Sequence, residues 1–321
     1  MKNNVKIFVS NRIGIKSYRI PNSIYIPVLC GAVYKDINSN YNIQGDNVGV
    51  NISKKRNNFC EFTVEYWAWK NTVSDYIGLC HYHRYLSFSK KRYRTNLEGM
   101  VIEFILSDTT IRKYSLIDEQ LIEEFVSSYD VVVNESVNVC TLPTPHGRAK
   151  SVRDFWGKYT GVYFDVSLID TLLQIIKIRY PQIYPSAINY LDGSQHRGYN
   201  CYVMKRNIYN EFCEFQFSIL FELESNLDKK SLFLKKFPRT LAYIGEILYG
   251  IYIYHIKNKG ANIKEVQLVY FEHTSKTTNI FLAYLLFLIK KYIEPLLYCI
   301  FPKASRRRLV LKRLYFKLTQ S

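Results

Sequence analysis

The stretch DYIGLCHYHRYL, Asp75 to Leu86, decides how this chain folds. Tyr76 to Cys80 is a short apolar run, which reads as a strand buried on both faces of a sheet. It delivers His81, Tyr82, His83, Arg84 and Tyr85 to its carboxyl end, where α/β domains place ligand-binding groups. Strand alternation puts His81, His83 and Tyr85 on one face, with Tyr82 and Arg84 on the other. Arg84 can pair bidentately with a diphosphate, and the tyrosines can stack on a base or a sugar. The same residues can equally satisfy hydrogen bonds at an ordinary strand end. His81 and His83 have the spacing of two metal ligands, but no third or fourth ligand can be named.

Working outward, Asn58 and Glu61 have capping-box spacing and predict one helix through FCEFTVEYWAWKN to about Asn71, burying Phe59, Phe62, Tyr66 and Trp69. Upstream, GDNVGVNIS (Gly45–Ser53) has loop composition. Asp46, Asn47 and Asn51 there can bind a ribose or a base edge, although turn formation is the reading that composition favours. Val5–Val9 reads as a first buried strand, Pro27–Ala32 as a second strand or a loop rim, and Tyr129–Glu135 as a later strand. Amphipathic helices are predicted over 165–180 and 208–223. The alternation predicts a three-layer α/β/α sandwich.

Two further segments carry candidate chemistry. RTLAYIGEILYGIYI (Arg239–Ile253) holds Glu246 inside an otherwise apolar helix, a costly placement unless the acid is paired or functional. A general base of raised pKa is one reading; a Glu paired with Arg239 or exposed on a helix face is the other. Tyr199 and Asn200 open a strand-like YNCYVM that either lines an acceptor pocket or is core.

The 321 residues can bury one large core or two small ones, and 48% hydrophobic residues exclude a disordered chain. Seven scattered cysteines with no Cys-x-x-Cys suggest neither a disulfide framework nor a zinc knuckle. With no apolar stretch near Met1 to suggest a signal peptide, they point to the cytoplasm. The dinucleotide-binding, P-loop and nucleophile-elbow glycine motifs are missing. No Asp-x-Asp occurs, so Mn²⁺ or Mg²⁺ dependence cannot be read from the chain.

Net charge is +17, and seven basic residues with no acid lie between Pro302 and Ser321. Upstream are IFLAYLLFLI (Ile280–Ile289) and YIEPLLYCIF (Tyr292–Phe301), each too short for a bilayer core of about 20 residues. Broken by Lys290-Lys291 and Glu294-Pro295, they read as two interfacial segments ahead of a basic amphipathic helix over Arg306–Leu318. Residues 280–318 are therefore expected to meet an anionic membrane surface. A nucleic-acid partner is not expected, since it would require basic and aromatic residues interleaved over the core.

The order GDNVGVNIS, NNFCEFTVEYWAWKN, DYIGLCHYHRYL, YDVVV, YNCYVMKRNIYNEFCEFQFSILFELE and RTLAYIGEILYGIYI closely resembles a bacterial family of capsule, exopolysaccharide and lipopolysaccharide glycosyltransferases catalogued as a domain of unknown function. The resemblance covers roughly residues 4 to 255. It implies a GT-A-like catalytic domain, taken over 1–270, and the apolar and basic composition beyond makes 271–321 a membrane-docking segment. Some relatives are galactofuranosyltransferases, so the resemblance implies a nucleotide-sugar donor, UDP-galactofuranose first, and a lipid-linked saccharide acceptor at the inner face of the plasma membrane. In those terms Asp46, Asn47, Asn51, His81, Tyr82, Arg84 and Tyr85 belong to the donor site. Glu246 is the acid of a late Glu-Arg-x-Leu-like motif and the base of an inverting transfer. The family usually has Arg at the positions of His83 and Ile247. The rival expectation is a non-catalytic scaffold of a polysaccharide assembly complex.

Overall fold

The computed structural model describes residues 3–35, 43–163, 165–228, 237–275, 280–302 and 305–310. A ten-stranded sheet forms the centre. Its strands are β1 (Val5–Asn11), β2 (Tyr25–Leu29), β3 (Gln44–Gly45), β4 (Tyr76–His81), β5 (Arg84–Leu86), β6 (Met100–Ile105), β7 (Val131–Asn134), β8 (Tyr202–Lys205), β9 (Ile263–Val266) and β10 (Leu268–His273). Along the main path the order is β9-β7-β8-β4-β1-β2-β3. β1 runs parallel to β2 and β4, whereas β8 is antiparallel to both β4 and β7. β10 joins β5 and β6 as a side branch.

The strands are apolar on both faces, and alternation sorts their residues into two cores. Phe8, Ile77, Leu79, Val131, Val133, Tyr202 and Met204 face one core. Ile7, Val9, Tyr76, Cys80, Val132 and Val203 face the other. The helices are α1 (Arg56–Phe59), α2 (Phe62–Asn71), α3 (Asp108–Lys113), α4 (Glu119–Ser127), α5 (Val152–Gly157), α6 (Ser167–Arg179), α7 (Tyr184–Asp192), α8 (Arg206–Asp228), α9 (Thr240–Asn258) and α10 (Ile280–Ile300). Residues of α2 and α5–α9 line the first core, and residues of α3 and α4 line the second. This is a GT-A-like three-layer α/β/α sandwich.

The single helix expected over Phe59–Asn71 is two helices. Cys60 adopts φ 49, ends α1, and turns the chain before α2 begins at Phe62. Asn58 lies inside α1 and caps nothing, so there is no capping box and the Glu61 side chain is released. Within α9, Ile244, Ile247, Leu248 and Ile251 are fully buried. A Cβ on Gly245 would lie 2.3 Å from the Phe62 ring, so α9 closes on α2 only because that side chain is missing.

The two interfacial segments expected beyond residue 280 form one continuous helix, α10, which crosses Lys290-Lys291 and Glu294-Pro295 without a break. It is docked by Phe287, whose ring lies 5.4 Å from that of Phe104, and by Tyr298. Phe281, Tyr292 and Leu296 are 79%, 68% and 70% exposed. No described helix is long and apolar enough to cross a membrane. The sheet runs to His273. Arg306–Val310 is helical, and the rest of the expected basic helix lies outside the described residues.

Candidate active site

The carboxyl ends of β1, β2 and β4 and the amino end of β8 open onto one edge of the sheet. Register fixes their neighbours: Ser10 pairs with His81, and Tyr202 with Leu79. At this edge β4 does not continue as a strand through Tyr85. Tyr82 and His83 form a two-residue turn, and His81 pairs with Arg84 across the resulting hairpin. The face assignment expected from alternation therefore fails beyond His81, and His81 and Arg84 become neighbours.

Burial and the adjacent Arg84 hold His81 well below the usual imidazole range, so it stands neutral. Its Nδ1 is buried without a hydrogen-bond partner, as is the Arg84 Nε. The Arg84 guanidinium is held 5.0 Å from the Tyr199 ring and 5.9 Å from that of Tyr270. His83 is tied by Nδ1 to the Phe271 carbonyl at 2.8 Å and stacks on Tyr270. Tyr82 is buried and hydrogen-bonded to Arg12. Tyr85 lies deep in the second core, edge-on to Tyr25 and Phe271.

Facing this hairpin, Tyr199 and Asn200 adopt φ 75 and 47, left-handed conformations rare outside glycine. Such strain clusters at functional sites. Here it turns the Tyr199 N–H toward the Glu246 carboxylate, which accepts from it. The Glu246 Oε2 lies so close to Gly198 that a Cβ there would sit 3.1 Å away. Burial first, and then the charge of Glu61, push the Glu246 carboxyl up to about 7; Arg84, the Tyr199 N–H and Arg239 pull the other way. Glu61 is held by the Asn200 amide at 3.1 Å, and the Asn200 Oδ1 is buried without a partner. Two carboxylates, two guanidinium groups and several unpartnered polar atoms thus converge at this edge of the sheet.

Asp46 plays another part. It is fully buried, and its oxygens accept from the Gly31 and Ala32 N–H groups (2.8 Å each) and from the Ser53 and Thr63 hydroxyls (2.5 Å each). A ligand would meet the loop that Asp46 holds after β2, not the carboxylate. Asn51 spends its amide on a local turn through Gly49 O and Ser53 N, while Asn47 is exposed beside it.

On the other side of β1, a cavity of about 260 Å³ is lined by Val9, Asn11, Ser17, Tyr25 and Tyr85 among others, just below the usual range for ligand pockets. The Ser17 and Tyr25 hydroxyls are buried without partners, and Arg12, Lys16 and Arg19 are exposed in the segment that covers it. Sequence reasoning missed this cavity because its polar lining comes from an irregular segment. It also missed Glu61, whose spacing from Asn58 predicts a helix cap instead. Among the described residues no group of three or more His, Cys, Asp or Glu is arranged to hold a metal ion. At the hairpin the Arg84 guanidinium and the His81 imidazole meet, an arrangement that suits an anion.

A solved structure titled "WbbM bifunctional glycosytransferase apo structure" is similar, with a TM-score of 0.73 and 28% identity. The match covers 84% of this chain and 46% of that one, so this chain spans about half its length. No curated protein matches the chain. The family signature described as Domain of unknown function (DUF4422) matches residues 7–259, a span that runs from β1 through Glu61, the Tyr82–His83 hairpin and Glu246. The chain belongs to that family.

Proposed function

We propose that the protein is a glycosyltransferase carrying a hexosyl group from a nucleotide-sugar donor to a hydroxyl of a lipid-linked saccharide, by inversion. The observation that carries this reading is the half-buried Glu246 carboxylate, poised near neutrality beside Arg84 and accepting from the strained Tyr199 N–H. A base with a pKa near the working pH combines a populated deprotonated form with adequate basicity.

The nucleoside lies against the cavity beside β1, and its diphosphate runs under Arg12 toward Arg84 and neutral His81. The acceptor oxygen attacks the anomeric carbon from the Glu246 side, and its proton passes to Glu246. The bond from the anomeric carbon to the diphosphate oxygen breaks on the opposite face. The leaving diphosphate keeps the electron pair, and Arg84 stabilises the charge that develops there. Asp46 serves this site by fixing the loop after β2, and Tyr199 by donating its N–H to the base. Candidate donors begin with UDP-galactofuranose, in line with the family resemblance.

The acceptor would be reached at the inner face of the bacterial plasma membrane. The outer face of α10 presents Phe281, Tyr292 and Leu296 to solvent, with Lys303 and Arg306–Arg308 following in sequence. Apolar and basic groups together suit an anionic lipid interface, and docking there raises the local concentration of lipid-linked acceptor.

A thermal-shift screen against UDP-galactofuranose, UDP-galactose, UDP-glucose, UDP-N-acetyl sugars, GDP-mannose and dTDP-rhamnose, with and without Mn²⁺, tests the donor half. Stabilisation by one nucleotide class is expected. Silence across the panel would favour a non-catalytic scaffold.

A further inference from the structure

Two glycines make room for a row of polar side chains behind Glu246. A Cβ on Gly198 would lie 3.1 Å from the Glu246 Oε2 and 3.4 Å from the His196 Nε2. Among the described residues, the glycine's chain neighbours apart, no other heavy atom comes within 4 Å of that point. The two polar atoms therefore lie no farther apart than those lengths together, within the span of a water-mediated hydrogen bond. Gly250 lies one turn beyond Glu246 on the same side of α9. A Cβ there would collide with the Tyr190 hydroxyl, so the glycine lets that hydroxyl reach the helix. The same hydroxyl is 2.7 Å from the His196 Nδ1, which completes the row Tyr190, His196, Glu246.

The protons of this row have one direction. The Tyr190 oxygen accepts from the Arg197 N–H at 3.3 Å, so its own proton goes to the His196 Nδ1. Burial, and then the Arg197 charge, lowers the imidazole to about 4, so it is neutral at pH 7. A neutral ring that accepts at Nδ1 carries its hydrogen on Nε2, the atom on the Glu246 side. His196 is 6% exposed, with the Trp156 ring perpendicular to it at 5.6 Å and the Phe155 ring at 5.9 Å. These apolar walls fix the imidazole plane and keep the ring uncharged.

We propose that His196 is a positioning residue for Glu246: Tyr190 fixes the imidazole so that its Nε2–H donates toward the Glu246 Oε2, directly or through one water. One carboxylate oxygen is then held, and the other is left to take the acceptor's proton. The part this plays in catalysis rests on the transferase reading above; the hydrogen-bonded row does not. A donor to the ionised form lowers a carboxyl's pKa, so loss of His196 raises that of Glu246. Arg84, Arg239 and the Tyr199 N–H act on Glu246 in the same sense as His196, and Glu61 in the opposite one. Arg197 is the charged group that faces His196. The Tyr163, Tyr190, Tyr199 and Tyr243 phenols and the Cys201 thiol also neighbour Glu246, and burial holds all five protonated.

Carbon-13 NMR of protein labelled at the glutamate carboxyls tests this without substrate, Glu246→Gln identifying the signal. His196→Phe should move the Glu246 titration up by about one pH unit, the worth of one hydrogen bond to a charged group. His196→Gln, whose amide nitrogen can take the Nε2 position, should return it close to the wild-type value. Nitrogen-15 NMR of the wild type should show the His196 hydrogen on Nε2 at pH 7, a readout that needs no variant to fold. Hydrogen on Nδ1, or a Glu246 titration left unmoved by His196→Phe, would overturn the proposal. In turnover, the acidic limb of kcat/KM should follow the carboxyl, upward in His196→Phe and back in His196→Gln. A carboxyl shifted in a protein that no sugar nucleotide stabilises keeps the row and removes the transferase reading. An unshifted carboxyl in an active transferase removes the row alone.

Discussion

Asp46 and Glu246 are acids near the same edge of one sheet, and the structure holds them in opposite ways. Asp46 is enclosed and accepts four hydrogen bonds from its own chain. Glu246 is half-buried beside a second carboxylate and accepts a single backbone hydrogen bond from Tyr199, against an electrostatic balance that leaves it easy to protonate. A saturated carboxylate has nothing left to offer a ligand and stabilises the loop around it. An undersatisfied one costs the fold something and is retained where chemistry uses it.

The largest contrast is expected from Glu246→Gln. Turnover should fall by about 10²–10⁴, while thermal stability at pH 8 should match or exceed that of the wild type. The stability sign follows from the raised carboxyl. The folded state holds this proton up to about pH 7, whereas the unfolded chain releases it near 4.5. Stability therefore falls as pH rises between those values, and glutamine removes that loss.

Asp46→Ala should act the other way round. It leaves two buried N–H groups and two hydroxyls without their acceptor, which predicts a loss of about 3 kcal/mol or more in urea unfolding. Turnover per folded molecule should change less than in Glu246→Gln. Gly245→Ala sharpens the comparison from the packing side. Its Cβ would drive into the Phe62 ring and cost about 1–3 kcal/mol, measured by the same unfolding experiment. The smallest effect is expected from Glu61→Gln. With the neighbouring charge removed, the acidic limb of the pH–rate profile should move to lower pH with little change in plateau rate.

Much of this arrangement was legible in the residues. β1, β4 and β7 and helices α6, α8 and α9 follow from apolar runs and helical periodicity, and Glu246 stood out as an acid in an apolar helix. The chain reversals were not legible. The break at Cys60 and the turn at Tyr82–His83 contain neither glycine nor proline, so no local signal marks them. Both depend on tertiary packing, and both decide the site. The first frees Glu61 from a presumed cap, and the second brings His81 beside Arg84. Asp46 was visible as a polar loop residue, but only its four partners reveal that it faces inward. The continuity of α10 was hidden by Lys290-Lys291 and Glu294-Pro295, which composition alone reads as breaks.

The measurement that bears most directly on the central claim is the pH dependence of kcat/KM for the wild type, Glu61→Gln and Glu246→Gln, using whichever sugar nucleotide stabilises the protein. The account predicts a rate that rises through about pH 7 in the wild type, a limb displaced to lower pH in Glu61→Gln, and a flat, strongly reduced profile in Glu246→Gln. A limb near pH 7 that survives unchanged in Glu246→Gln, with turnover within a few-fold of wild type, would contradict it.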